Sequence, residues 1–336
     1  IFCFIIKQFL HKSHEVSLSD PRFIVLNRWL NQLFDAPVFP TLISGDASYR
    51  RYFRVQHENK SFIVMDSPPE LIKVTPFVDM ANAYTMKGVP VPQVIETNLE
   101  YGFLLLSDLG DVELLSVLNQ ANVTAYYGQA LVLLTSISLV TESGGETLPL
   151  YDDAFIQLEL DIFSDWLINH HLGIKLDEKV RNMLQEVFSC LIKSAGSQPK
   201  IGMHRDYHSR NLMLQNGELK VIDFQDAVLG PVTYDAVSLL RDCYIRWPDN
   251  IVNTLMKRHY EQLQDAGLIE DSVTLSTYTR WFDLMGLQRH IKAAGIFARL
   301  KYRDSKPAYM ADIPLTLEYI RDISVRYPEF KAFNSW

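Results

Sequence analysis

Residues 201–226 read Ile201-Gly-Met-His-Arg-Asp-Tyr-His-Ser-Arg-Asn-Leu-Met-Leu-Gln-Asn-Gly-Glu-Leu-Lys-Val-Ile-Asp-Phe-Gln-Asp226. The pair Asn216-Gly217 separates two apolar runs, and an Asn-Gly turn in that setting is the strongest short signal for a β-hairpin. Asn211 then opens one strand and Asp223 ends the other, so the hairpin brings both side chains back to the same end. Asp206 lies in the loop just before. The stretch therefore predicts two carboxylates and one amide at one rim.

This set of side chains is the one that phosphoryl transfer requires. A loop aspartate accepts the proton of the attacking hydroxyl, while an amide and a second carboxylate hold magnesium against a triphosphate. Oxygen ligands of this kind suit Mg²⁺. We therefore predict Asp206 as the catalytic carboxylate, and Asn211 and Asp223 as metal ligands. The order and spacing match the protein-kinase pattern of His-Arg-Asp, an Asn five residues later, and Asp-Phe.

The hydrophobic pattern changes character near Gly110. Before it, strand signals occur at 39–43, 51–56, 61–65, 91–97 and 102–106, with a helix at 76–87. After it, helical spacing dominates over 123–140, 155–171, 180–195 and most of 234–327. We predict an α+β fold with a small antiparallel β-sheet lobe followed by a mostly helical lobe. The predicted boundaries are 1–20 for an N-terminal extension of uncertain role, 21–108 for the N-lobe and 109–336 for the C-lobe.

Composition excludes several classes of function. The 336 residues carry a net charge of −8, which argues against binding to nucleic acid or to an anionic membrane. Three widely spaced cysteines favour inert thiols in a reducing cytoplasm over disulfides or zinc. The apolar run at 1–10 is too short to span a bilayer and lacks the flanks of a signal peptide. Its role stays open between a docking segment and a start-site artefact.

Two motifs carry a resemblance to a known family. They are His204-x-Asp206-x-His208-x-x-Asn211 and Gly230-Pro-Val-Thr-Tyr-Asp235. With them the chain resembles the aminoglycoside phosphotransferase and choline kinase superfamily, whose members share a bilobal protein-kinase-like fold. The resemblance implies that His204 and His208 support the catalytic loop and that Asp235 steadies its backbone. It also implies ATP and Mg²⁺ as cofactors and a small molecule as substrate.

Four further stretches, 44–54, 65–70, 102–110 and 204–213, are similar to a bacterial subgroup of that superfamily. Characterised members of the subgroup phosphorylate the anomeric hydroxyl of N-acetylmuramate and N-acetylglucosamine in cell-wall recycling. An amino sugar is therefore the expected substrate. Aminoglycoside, choline and homoserine kinases remain alternatives, as does a nucleotide-binding pseudokinase that acts as a scaffold. Oligomeric state is left open by the sequence.

The nucleotide-binding half departs from the kinase pattern. Met65 stands on the third strand where kinases place a phosphate-binding lysine, and the loop before the second strand lacks G-x-G-x-x-G. We hypothesise that Arg50 or Arg51 replaces the lysine, because a guanidinium binds phosphate oxygens through a fork of donors. The resemblance further implies that backbone of residues 105–108 contacts the adenine. The expected nucleotide-binding residues are Ser44, Asp46, Ser48, Arg50, Arg51, Met65, Leu105, Leu106, Ser107 and Asp108.

Overall fold

The computed structural model describes residues 20–44 and 50–336. The apolar run at 1–10 and the predicted turn at 45–48, with Asp46 and Ser48, lie outside the described residues. The chain divides into two compact units. The first contains residues up to Val117 together with Glu142–Glu146 and Arg210–Asp226, and the second contains the rest. This division is discontinuous in sequence, and the single boundary at Asp108 stays a prediction.

The first unit is built on a five-stranded antiparallel sheet with the order β1-β2-β3-β5-β4. Its strands are β1 (Thr41–Ser44), β2 (Arg51–His57), β3 (Lys60–Asp66), β4 (Val94–Asn98) and β5 (Phe103–Ser107). Side chains alternate between the two faces of each strand. One face packs against helix α1 (Pro21–Leu33) through Phe53, Val55, Val64, Phe103 and Leu105. The meander predicted from the sequence is confirmed.

Helix α1 was not predicted, although the sequence contains its start signals. The carboxylate of Asp20 accepts a hydrogen bond from the backbone N–H of Arg22 (2.9 Å), and Pro21 occupies the first helical position. Both features are typical of helix N-termini. Leu26 and Leu30 are fully buried against the sheet. This helix covers one face of the sheet and leaves the other face to form a pocket.

The predicted hairpin is confirmed and belongs to the first unit. Strands β9 (Leu212–Gln215) and β10 (Glu218–Val221) pair antiparallel across the Asn-Gly turn. Backbone hydrogen bonds of 2.8 Å tie it to the unit, from Leu214 N to Val112 O and from Val221 N to Pro90 O. Phe224, just beyond the hairpin, packs 4.8 Å from the ring of Phe77 on helix α2 (Thr75–Met86).

The second unit is mainly helical. Its helices are α3 (Val123–Ser138), α4 (Asp153–Ile162), α5 (Glu178–Gly196), α6 (Tyr234–Leu240), α7 (Asp249–Asp265), α8 (Leu275–Arg303), α9 (Ile313–Ser324) and α10 (Lys331–Ser335). A π-helical segment, Phe163–His171, continues α4, and 3₁₀ turns span Pro307–Asp312 and Pro328–Phe330. Strands β8 (Lys200–Met203) and β11 (Val228–Pro231) pair antiparallel. The remaining described elements belong to the first unit, apart from Thr147. They are a third 3₁₀ turn (Leu114–Ser116) and the short paired strands β6 (Glu142–Ser143) and β7 (Glu146–Thr147).

Helix α8 is the centre of the second unit and packs against α4, α5, α6 and α9. A Cβ at Gly295 would lie 2.5 Å from the backbone nitrogen of Phe163, so only glycine permits this close approach of α8 to the π-helical segment. Among the helices in the described part of the chain, none is long and apolar enough to cross a bilayer. The predicted α+β class, with a small antiparallel sheet and a helical remainder, is confirmed.

Candidate active site

Asn211 and Asp223 meet at the open end of the β9–β10 hairpin. The side-chain nitrogen of Asn211 lies 3.5 Å from Asp223 Oδ2, and Ile222 N donates to Asn211 O at 3.1 Å. Gln225 Nε2 donates to Asp223 Oδ1 at 2.8 Å. Asp223 has φ +63°, a left-handed conformation that costs a non-glycine residue on the order of 1 kcal/mol. A neighbouring carboxylate and amide oxygen form a donor set that fits Mg²⁺.

A pocket in the first unit opens beside this pair. Its walls come from the free face of the sheet, the segment after β5, and the hairpin. Lining residues include Ile43, Tyr52, Arg54, Ile63, Leu106, Ser107, Asp108, Met213, Asp223 and Phe224. Of the predicted nucleotide-binding residues, Leu106, Ser107 and Asp108 are therefore at the pocket.

Leu105 and Met65 are placed differently. The side chain of Leu105 packs into the core beneath α1, on the opposite face of the sheet, so it does not line the pocket. Met65 lies on the same face of strand β3 as Ile63, the face that borders the pocket, but its side chain is fully buried. The third strand thus presents an apolar, inaccessible side chain at the position where kinases place lysine.

Arg51 lies on the face of the sheet that packs against α1. Its Nε donates to Asp66 Oδ2 at 2.9 Å, and its guanidinium also pairs with Asp20 at the start of α1. Asp66 is fully buried and is shared with Arg22 (Nε to Oδ1, 3.0 Å). This side chain therefore joins the sheet to α1, and the hypothesis that Arg51 replaces the lysine stays a prediction that its observed partners do not favour. For Arg50, which is buried just before β2, the hypothesis stays a prediction.

Arg54 lines the pocket together with Arg210, and neither arginine was among the predicted nucleotide-binding residues. The Nε of Arg54 donates to Asp108 Oδ2 (2.6 Å) and its Nη1 to Asp111 Oδ2 (2.9 Å). Asp108 also accepts from Ser61 Oγ and from Gly110 N. Burial raises the pKa of Asp108, but the hydrogen bonds from Arg54 and Ser61 outweigh burial, so its pKa lies below the ordinary value. Because side chains of a strand alternate between the two faces of the sheet, Arg54 lies on the same face as Tyr52, which is the face that borders the pocket.

In the second unit, Asp235 holds the start of the loop at residues 204–209, the predicted catalytic loop with Asp206. Its carboxylate accepts hydrogen bonds from His204 N (2.6 Å) and Arg205 N (3.0 Å). Arg205 has φ +76°, so these bonds stabilise an unfavourable backbone conformation. Burial raises the pKa of Asp235 to about 7, although the two N–H donors oppose the change.

A second carboxylate, which the sequence analysis missed, holds the end of the loop. Asp242 Oδ2 accepts from Ser209 N (3.0 Å) and from Ser209 Oγ (2.5 Å). Between the two carboxylates, Tyr207 donates its hydroxyl to Ala130 O at 2.7 Å. His208 packs edge-on to Tyr244, with ring centroids 5.6 Å apart. The backbone around Asp206 is therefore fixed on both sides by the fold itself.

A buried ion pair lies behind this loop. Lys292 Nζ on α8 is 2.7 Å from Glu159 Oε1 on α4 and donates to the hydroxyl of Tyr234 at 2.8 Å. Tyr151 donates to Glu159 Oε2 at 2.5 Å, and Arg205 Nη2 is 3.6 Å from Oε1. Burial lowers the pKa of Lys292, but its interaction with Glu159 outweighs burial and the net shift is upward. No motif in the sequence indicates this pair.

Comparisons with known proteins agree with this geometry. The model of the phosphotransferase enzyme family (APH) matches residues 41–267. An N-acetylmuramate/N-acetylglucosamine kinase of Pseudomonas aeruginosa is 40% identical over 321 residues, 92% of this chain and 94% of that protein. A Plasmodium vivax ethanolamine kinase is similar in structure (TM-score 0.63, 11% identity, 93% and 89% of the two chains). So is an ADP-bound aminoglycoside phosphotransferase, APH(2'')-Ib (TM-score 0.60, 11% identity, 91% and 99%).

The two structural neighbours share the fold at low identity, and the Pseudomonas relative is similar over nearly its whole length. The predicted kinase-like fold and the predicted phosphotransferase class are thereby confirmed. This chain belongs to the phosphotransferase enzyme family.

Proposed function

We propose that this enzyme transfers the terminal phosphoryl group of ATP to the anomeric hydroxyl of N-acetylmuramate or N-acetylglucosamine. The observation that carries the proposal is the 40% identity, over 92% of the chain, to a kinase named for these two sugars. The anomeric position and a role in cell-wall recycling follow from the subgroup resemblance of residues 44–54 and 204–213. A cytoplasmic location is part of the same proposal.

In this proposal the nucleotide binds in the pocket of the first unit. The apolar residues Ile63 and Leu106 offer surfaces for the adenine, and the segment at Ser107 and Asp108 offers backbone groups for its edge. An ADP-bound structural neighbour of the same fold supports nucleotide binding. Asn211 and Asp223 would hold Mg²⁺, which neutralises the phosphate charge when bound.

Asp206 would orient the sugar hydroxyl and accept its proton. A general base is effective only if it is held in the correct place. On either side of Asp206, the carboxylates of Asp235 and Asp242 accept three hydrogen bonds from backbone N–H groups and one from the Ser209 hydroxyl, at 2.5–3.0 Å. This double attachment supports a rigid carboxylate whose position depends little on the substrate.

The test is an acceptor panel with Mg²⁺ and ATP. It contains N-acetylmuramate, N-acetylglucosamine, an aminoglycoside, choline and homoserine, and product NMR locates the phosphate. We expect sugar-dependent ATP consumption with phosphorus coupled to the anomeric proton. Turnover with only the other acceptors, or phosphate on another hydroxyl, would contradict the proposed substrate. An absence of any acceptor-dependent turnover would support the scaffold alternative instead.

A further inference from the structure

Helix α8 carries several basic side chains, and most of them have an identified partner. Arg280 pairs with Glu329 near the surface, and Lys292 pairs with Glu159 in the interior. His290 contributes Nε2 to a 2.9 Å hydrogen bond with Arg241 O. These three side chains are accounted for by the fold itself.

In the described part of the chain, Arg289 is, like the less buried Arg299, a basic side chain of α8 without an ion pair. Only 9% of it is exposed, and its guanidinium carbon lies 4.8 Å from the centre of the Tyr234 ring. Within the described residues, no carboxylate oxygen is within 4.0 Å of its guanidinium, and its Nε has no hydrogen-bond partner. Burying a charge without an ionic partner is costly. Arg289 is therefore a candidate for binding an anionic ligand through the donors that the fold leaves unused.

Arg289 lies near the start of the catalytic loop. Arg289 and Lys292 are one helical turn apart on α8, and both contact Tyr234. Tyr234 directly precedes Asp235, which binds the backbone at the start of the loop. The charge of Asp206 also interacts favourably with both cations. Arg289 thus lies close to the loop that carries Asp206.

The two other cations near the loop are engaged by one carboxylate, since Lys292 Nζ lies 2.7 Å and Arg205 Nη2 lies 3.6 Å from Glu159 Oε1. Among the described residues, Arg289 has no carboxylate at such a distance. The chemistry of its side chain indicates which ligand would suit it. A planar guanidinium binds a carboxylate through two parallel hydrogen bonds, which makes a substrate carboxylate a well-matched ligand.

We propose that Arg289 binds the carboxylate of an acidic amino sugar and determines the preference of the enzyme for acidic over neutral sugars. The inference rests on the proposed function. Of the two candidate sugars, N-acetylmuramate carries a lactyl carboxylate and N-acetylglucosamine does not. The two substrates therefore separate the role of Arg289 in specificity from its role in catalysis.

The experiment compares kcat/KM for the two sugars, at saturating ATP, in wild type, Arg289→Met and Arg289→Lys. Losing a charge-assisted hydrogen bond lowers affinity on the order of 10- to 100-fold. We expect the ratio of kcat/KM for N-acetylmuramate over N-acetylglucosamine to fall by about that factor in Arg289→Met, mainly through KM. Arg289→Lys keeps the charge without the fork, so its ratio falls by less. Arg280→Met, which removes a surface arginine of the same helix, is the control and leaves the ratio unchanged.

An equal loss for both sugars would overturn the assignment, since Arg289 would then serve only the loop. A raised KM for ATP with an unchanged sugar ratio would also overturn it, because the anion would then be a phosphate. Arg289→Lys decides the question if Arg289→Met does not fold. A wild-type enzyme that phosphorylates neither sugar refutes the proposed function and this inference together, whereas an unchanged ratio in an active enzyme refutes only the inference.

Discussion

The buried pair Lys292–Glu159 gives a prediction whose size follows from its environment. Both side chains are nearly inaccessible, with 5% and 8% exposure, and the charged atoms are 2.7 Å apart. In Lys292→Met, the Glu159 carboxylate keeps its hydrogen bond from Tyr151 but loses its closest cation. Removing one partner of a buried pair costs about 3–5 kcal/mol. Because Arg205 Nη2 stays 3.6 Å from Glu159, we expect the lower end of this range, about 3 kcal/mol. In a unit of about 200 residues, this lowers the melting temperature by roughly 10 °C.

A double-mutant cycle isolates the interaction. Urea unfolding is measured for wild type, Lys292→Met, Glu159→Gln and the double variant. We expect each single change to be costly and the double variant to recover about 2 kcal/mol or more relative to their sum. Lys257→Met removes an exposed pair with Glu261 on α7, and as the matched control it should cost less than about 0.5 kcal/mol. Additive single effects would refute the reasoning.

Three further predictions concern the rest of the molecule. Gly102→Ala should lower the free energy of unfolding, measured in urea, by more than about 2 kcal/mol, because φ is +71° and the added Cβ would lie 1.9 Å from a backbone oxygen. The control is Gly110→Ala, where φ is +79° but the space is open, and it should cost only about 1 kcal/mol. Arg51→Met should lower the free energy of unfolding by about 2 kcal/mol without changing the KM for ATP. Arg54→Met should raise the KM for ATP several-fold. A raised KM for ATP in Arg51→Met, with an unchanged KM in Arg54→Met, would instead place Arg51 in the nucleotide site. The pKa of Asp235 is raised to about 7, so above pH 4 the folded state binds more protons than the unfolded state. The free energy of unfolding should therefore fall by at most about 4 kcal/mol as the pH rises to 7. A pH profile of Asp235→Asn parallel to that of wild type would disprove this.

Local sequence signals predicted the parts of the site that are close in sequence. The Asn-Gly turn determines the hairpin, and the hairpin register determines that Asn211 approaches Asp223. Turn chemistry and strand alternation act over a few residues, so they can be read without tertiary information. The same alternation, applied to β2, places Arg51 and Arg54 on opposite faces of the sheet, so the sequence alone could have separated their roles.

Tertiary contacts account for what the sequence did not reveal. Glu159 and Lys292 lie on different helices far apart in the chain, and an acidic residue on α4 has the same local appearance whether it is exposed or paired. Asp242 follows α6 with no motif to mark it, yet it binds Ser209 in the catalytic loop. Such partners depend on helix packing, which single-sequence patterns do not specify.

The assignment of Asp206 depends on one kinetic comparison. Wild type and Asp206→Asn are assayed with Mg²⁺, ATP and N-acetylglucosamine, and nucleotide binding is measured separately by calorimetry. We predict that Asp206→Asn lowers kcat by about 10²- to 10⁴-fold, the usual contribution of a positioned general base, while nucleotide binding is retained. An Asp206→Asn enzyme with near-wild-type kcat would contradict the central role given to this loop.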